Sequence, residues 1–254
     1  MSVQKISSVQ GLRQRISKQH REPPWNRVVR RISIYFTWVL VHTPISANGV
    51  TALFLLSGLL GAGVFAIGTQ WAWIVGTLLI WLSVIFDFCD GEVARFRQES
   101  SWFGDYFEET VHAVLVIAMY CGISLGVWRG APSTPYPFGA ALLAAGFTLV
   151  VRNDKNLLLK SLFQYYGIEK MQRIAPSFTL SEFAVTRNMN RWLYLIDIAI
   201  FDFGFYFVTL PLAAIANRMD LFLYFYAVVR TLATVYMFMQ SWKLQSKYRS
   251  SREM

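Results

Sequence analysis

Asp87-Phe88-Cys89-Asp90-Gly91-Glu92-Val93-Ala94-Arg95, followed after eight residues by Gly104, Glu108 and His112, is the stretch that decides how this chain is read. The run of charge falls where one apolar segment ends and the next begins. Ionisable groups at membrane depth are costly, and by default they mark function. Asp87 and Asp90 are three apart, while Asp105, Glu108, Glu109 and His112 recur at i, i+3, i+4 and i+7 on one helical face. Two helices turning such faces toward each other would build an oxygen-rich pocket for a hard divalent cation.

The surrounding composition is that of a membrane protein. Of 254 residues, 55% are hydrophobic and 15% charged, where a soluble domain carries about 25% charged residues. Segments long enough to span a bilayer need roughly 17 to 25 residues. Six candidates meet this, at 48–68, 71–90, 104–128, 137–160, 192–216 and 220–243. The expected fold class is therefore an all-α integral membrane protein with six transmembrane helices. Residues 25–46, with Arg27, Arg30 and Arg31 ahead of an apolar run, read as an interfacial amphipathic helix before the first span. Residues 1–24 read as a loosely ordered basic tail, 47–245 as the six-helix transmembrane domain that carries the charged motif and 246–254 as a second tail. Neither an apolar signal segment at the start nor an internal repeat is evident.

Charge fixes the expected orientation. Lys and Arg number eight before residue 47, two in the motif loop, seven in 152–192 and four after 242. With six spans, all four segments fall on one side, which the positive-inside rule makes cytoplasmic. Both termini and the acidic motif would then face the cytoplasm, in the cytoplasmic (inner) membrane. The pI near 9.7 does not imply nucleic acid as a partner, because the basic residues follow topology rather than clustering in a soluble module. Two cysteines, Cys89 and Cys121, make no disulfide framework.

The motif resembles the signature of the CDP-alcohol phosphotransferase family: Asp, two residues, Asp-Gly, two residues, Ala-Arg, eight residues, Gly, three residues, Asp, three residues, Asp. Asp87, Asp90, Gly91, Ala94, Arg95 and Gly104 match at the right spacing, and Glu108 and His112 stand where the last two aspartates would be. Thr43-Pro44-Ile45-Ser46-Ala47-Asn48-Gly49-Val50-Thr51 is similar to the Thr-Pro-x-x-Pro-Asn-x-x-Thr run at the family's first membrane helix, with Ala47 replacing the second proline. The resemblance implies a membrane enzyme that takes a CDP-activated alcohol or CDP-lipid donor, a hydroxyl acceptor and Mg²⁺ or Mn²⁺, works among membrane lipids and forms a homodimer.

Carried onto this chain, the resemblance makes Asp87, Asp90, Gly91, Ala94, Arg95 and Gly104 candidates for nucleotide binding. Asp87, Asp90, Glu108 and His112 become candidate metal ligands, and Glu108 and His112 candidate catalytic residues. Gly91 and Ala94 leave room for a nucleotide near the backbone, or for a neighbouring helix. Arg95 would contact a phosphate or balance the carboxylates. His112 can act as general base on the acceptor hydroxyl, ligate a metal, which would favour Mn²⁺, or serve only in packing. Asp105 and Glu109 fall outside the family spacing and either back His112 or Arg95 or are solvated acids at the start of a helix. Asp197, Asp202 and Arg230 lie in the last two spans, where an ion pair or contact of Arg230 with a lipid phosphate are the options.

Other functional classes remain open at this stage. A transporter would show repeats and interrupted helices in matching halves, which are not evident. A catalytically weak or inactive nucleotide-binding relative would carry the same departures at Glu108 and His112.

Overall fold

The structure, a computed structural model, describes residues 9–16, 24–130, 135–150 and 203–250. The described residues form helices and connecting turns, with no strand among them. In chain order the helices are α1 (Val9–Ile16), α2 (Pro24–Val41), α3 (Ala47–Phe65), α4 (Gln70–Arg97), α5 (Trp102–Gly130), α6 (Tyr136–Val150), α7 (Phe203–Ile215) and α8 (Met219–Ser250). Four of them, α3, α4, α5 and the Met219–Tyr236 part of α8, are long and apolar enough to cross a membrane. Of the six expected spans, the fourth and fifth are represented by the shorter apolar helices α6 and α7, and 151–160 and 192–202 lie outside the described residues. Arg152, Asp154, Lys155, Asp197, Asp202 and the polar 156–190 segment lie outside them too.

The α3 start has a clear local cause. Ser46 is extended and its hydroxyl accepts the Gly49 N–H, which makes it the cap of the helix. Thr69 caps α4 in the same way. The α3–α4 turn needs Gly68 at φ +81°, and a side chain there would collide with the Gly126 carbonyl. Helices α3 and α5 approach closely at Gly122, where an added Cβ would lie 2.1 Å from the Ala62 carbonyl oxygen. Such small-residue contact lets helix backbones meet where hydrophobic burial offers little drive.

Two larger apolar clusters result, with a small third one at α1. One joins Phe65, Trp73, Tyr120 and Ile123 to α6, α7 and α8. The other joins Leu40, Val41, Val50, Cys89 and Val93, at the end of α4 that carries the motif. Within the expected N-terminal tail, Val9–Ile16 is helical instead, because Leu12 and Ile16 bury against Ile34.

Helix α2 runs over the residues expected for the interfacial helix, but its faces are used in an unexpected way. Its polar residues Ser33 and Thr37 are buried against the protein, while Val28, Ile32, Tyr35 and Val39 point outward. An interfacial helix of this pattern would leave its arginines to the membrane surface. Arg30 instead pairs with Glu92 of α4 at 2.9 Å.

Candidate active site

The motif occupies the last three turns of α4 and the first three of α5, joined by the short 98–101 connection. Helix α4 ends at Gln98 in the left-handed region (φ 59°), whose N–H returns to the Ala94 carbonyl, and Glu99 N–H does the same at 2.9 Å. That reversal sets the two acid-bearing helix ends side by side.

Across the gap, His112 Nε2 lies 2.9 Å from Asp87 Oδ1 and 3.9 Å from Glu108 Oε1. One ligand atom from each of these three residues falls within 4.8 Å of the others. His112 is buried and Glu108 part-exposed, so the cluster has a protein side and an open side. Phe54 of α3 meets the imidazole edge-on, ring centroids 5.0 Å apart, and limits its tilt. Two carboxylates and an imidazole are a donor set that a divalent ion accepts, and the nitrogen widens the choice toward Mn²⁺.

Asp90 is handled differently. It is 4% exposed, and Thr51 Oγ1 of α3 donates to its Oδ2 at 2.9 Å while the Gly91 N–H donates to Oδ1. It therefore stands outside the Asp87–Glu108–His112 cluster, although spacing alone treats the two aspartates alike. Gly91 faces the Arg95 guanidinium: an added Cβ would lie 3.2 Å from Arg95 Nη1. Ala94 packs against the apolar cluster beneath the motif. Gly104, in the first turn of α5, is near Asn48, whose Oδ1 would be 3.3 Å from a Cβ at that glycine. Asp105 and Glu109 are exposed and outside the cluster.

Three further groups around the site carried no assigned role in the sequence. Thr51 belongs to the Thr43–Thr51 run and could have been found there as the partner of a motif acid. Glu92 is buried and accepts from Arg30, Ser33 and Thr37. Arg97 reaches the carbonyls of Leu40, Val41, Thr43 and Ile45, at the end of α2 and in the turn after it. Nothing in local spacing announces Glu92 or Arg97, since their partners lie more than fifty residues away.

Away from the motif, Arg230 of α8 donates from Nε and Nη2 to the Tyr206 hydroxyl at 3.2 and 3.1 Å, and Tyr206 also bonds Tyr120. Among the described residues, the hydrogen-bond partners of its side chain thus include tyrosine oxygen.

Comparison with known proteins bears on the whole arrangement. A bifunctional IPC transferase and DIPP synthase from Rubrobacter xylanophilus is 36% identical over 110 residues, 43% of this chain. The chain matches about a quarter (24%) of that relative's length. The crystal structure of Mycobacterium tuberculosis phosphatidylinositol phosphate synthase with CDP-DAG bound superposes with a TM-score of 0.50 at 20% identity, covering 84% of this chain and 94% of that one, and so shares its fold. The family profile for CDP-alcohol phosphatidyltransferase matches residues 44–243, from the α2–α3 turn into α8 and across the whole motif. The chain belongs to the CDP-alcohol phosphatidyltransferase family.

Proposed function

We propose that this protein moves a phospho-alcohol or phosphatidyl group from a CDP-activated donor to an acceptor hydroxyl, releasing CMP, in lipid synthesis. The observation that carries the reading is the 2.9 Å approach of Asp87 on α4 to His112 on α5, with Glu108 beside them. Family acids from two successive helices thus share one small volume.

Such a transfer needs phosphate charge neutralised, the nucleophile aligned and its proton removed. Asp87, Glu108 and His112 would hold a divalent cation, and Asp90, held by Thr51 outside that cluster, would add its negative charge beside it. When bound, Mg²⁺ or Mn²⁺ supplies neutralisation of the diphosphate and of the leaving CMP. Arg95, beside Gly91, adds a fixed positive charge for a donor phosphate. Gly91 and Gly104 keep the walls near the nucleotide free of side chains, and Asn48 adds a polar group on the α3 side.

His112 presents one nitrogen to both duties open to it. The 2.9 Å contact with Asp87 Oδ1 needs a proton on Nε2; only where that contact gives way to a bound cation or acceptor would Nε2 take the proton of the acceptor hydroxyl or ligate the cation. Changing His112 to Ala separates the two: a base role leaves Mn²⁺ affinity intact and removes turnover, while a ligand role weakens Mn²⁺ binding itself. The protein acts as a six-span membrane homodimer with α2 at the interface, and with the site and both termini on the cytoplasmic side, where CDP-activated substrates are available.

The direct test is full-length protein in lipid nanodiscs, titrated with CDP, CMP and other nucleotides under Mg²⁺ and Mn²⁺, then assayed for CMP release from CDP-activated donors. Metal-dependent CDP binding lost in Asp90→Asn supports the pocket. CDP binding without CMP release from any donor would leave an inactive relative. Binding that ignores both metal and mutation would overturn the assignment.

A further inference from the structure

Glu92 is, at 1% exposure, the most buried carboxylate among the described residues, and it occupies a motif position that the family spacing leaves open. Its two oxygens take three donors from a single face of α2. Arg30 Nη1 and Ser33 Oγ reach Oε1 at 2.9 and 3.1 Å, and Thr37 Oγ1 reaches Oε2 at 2.6 Å. These donors sit at i, i+3 and i+7. One turn earlier on α4, Cys89 Sγ points to the Ser33 carbonyl at 3.5 Å. The Arg30 guanidinium also lies 5.1 Å from the centroid of the Phe88 ring, directly beside Asp87 in the chain.

A buried ion pair is a poor way to gain stability, since apolar residues of similar volume do as well or better. What it adds is direction. Apolar contact between α2 and α4 tolerates small slides and rotations, whereas three hydrogen bonds to one carboxylate are met in one register only. The outward apolar face of α2 offers no such register of its own.

We infer that Glu92 is a positioning residue: it sets the rotation and height of α2 on the motif helix, and through Arg30 and Phe88 it holds the Asp87 side of the site. The inference rests on reading the site as one for a cation and a nucleotide. Glu92 touches neither; it acts through the seat of α2.

The test uses the full chain in nanodiscs with Cys121→Ser as background. Spin labels at exposed Tyr35 of α2 and exposed Leu56 of α3, each changed to Cys, report the seat of α2, and Mn²⁺ and CDP titrations report the site. Loss of a charge-assisted bond predicts that Glu92→Gln broadens the label distance distribution and weakens CDP binding in the presence of Mn²⁺ about tenfold. Thr37→Val, which keeps the charge pair, predicts a fall of about threefold by the same reasoning. Should Glu92→Gln fail to fold, Thr37→Val decides alone. A lower melting temperature with affinity and distances unchanged in the folded protein would make Glu92 a structural residue only and overturn the inference. If the unsubstituted protein binds neither CDP nor Mn²⁺, the proposed function fails. The label distances then still decide whether Glu92 seats α2: a broadened distribution supports it and an unchanged one refutes it.

Discussion

Helix α4 is built by two different physical rules along its length. From Gln70 to Phe86 it carries no charge, and it is held by volume: Ala72, Trp73, Gly76 and Thr77 are buried, with the Phe65 ring filling the space that Gly76 leaves. From Asp87 to Arg97 it carries Asp87, Asp90, Glu92, Arg95 and Arg97. That half is held by direction, with donors and acceptors arriving from α2, α3 and α5. The first half can be damaged by a methyl group. The second is damaged by exchanging one atom. Stability and chemistry are thereby separated on one rod, so substitutions in the two halves should fail differently.

The largest effect expected is in the directional half. Asp87→Asn should cut metal-dependent CMP release by about a thousandfold, on the order of 4 kcal/mol of barrier, with little change in melting temperature; a variant that unfolds instead would erase the contrast between the halves. Gly76→Val should do the reverse, costing about 3 kcal/mol of stability by overpacking against Phe65 while the surviving folded protein keeps its CDP affinity. Denaturation followed in nanodiscs, with nucleotide titration of the folded fraction, checks both. Arg97→Ala removes a charged donor from four carbonyls and should cost about 2 kcal/mol, seen as earlier proteolysis of the α2–α3 turn. The smallest and most diagnostic is Gly91→Ala. A mid-helix glycine exchanged for alanine should stabilise α4 by about 1 kcal/mol, while the new methyl pushes on Arg95 and weakens CDP binding. A gain in both stability and affinity would mean that the bare backbone at Gly91 serves helix packing alone.

The volume-held parts of the molecule were the legible ones. The first span, expected at 48–68, is Ala47–Phe65, and the second and third differ from expectation mainly in running longer at their ends. Long apolar runs leave a helix little alternative in a membrane. The motif was legible as a constellation, because Asp87 with Asp90 and Glu108 with His112 recur at helical spacing and the family pattern marks their positions. Three things were not. The difference between Asp87 and Asp90 depends on Thr51, a neighbour in space that spacing cannot rank. The buried polar face of α2 was hidden because an amphipathic pattern does not say which side its partner occupies, and the partner, Glu92, lies more than fifty residues away with no spacing signal of its own. The short helix α1 was missed because eight residues with few apolar positions carry almost no periodic signal; Leu12 and Ile16 gain their role from Ile34.

The tight reversal at Gln98–Ser101 has a consequence for how the site comes into being. Asp87 and His112 are separated by only twenty-five positions of chain, and α3, which packs against both α4 and α5 and precedes them, completes the scaffold that holds them face to face. Contacts so local form early and at small entropic expense. During synthesis the Asp87–His112 face can therefore close while the C-terminal third of the chain is still in the ribosome, before the later helices add their packing onto α4 and α5.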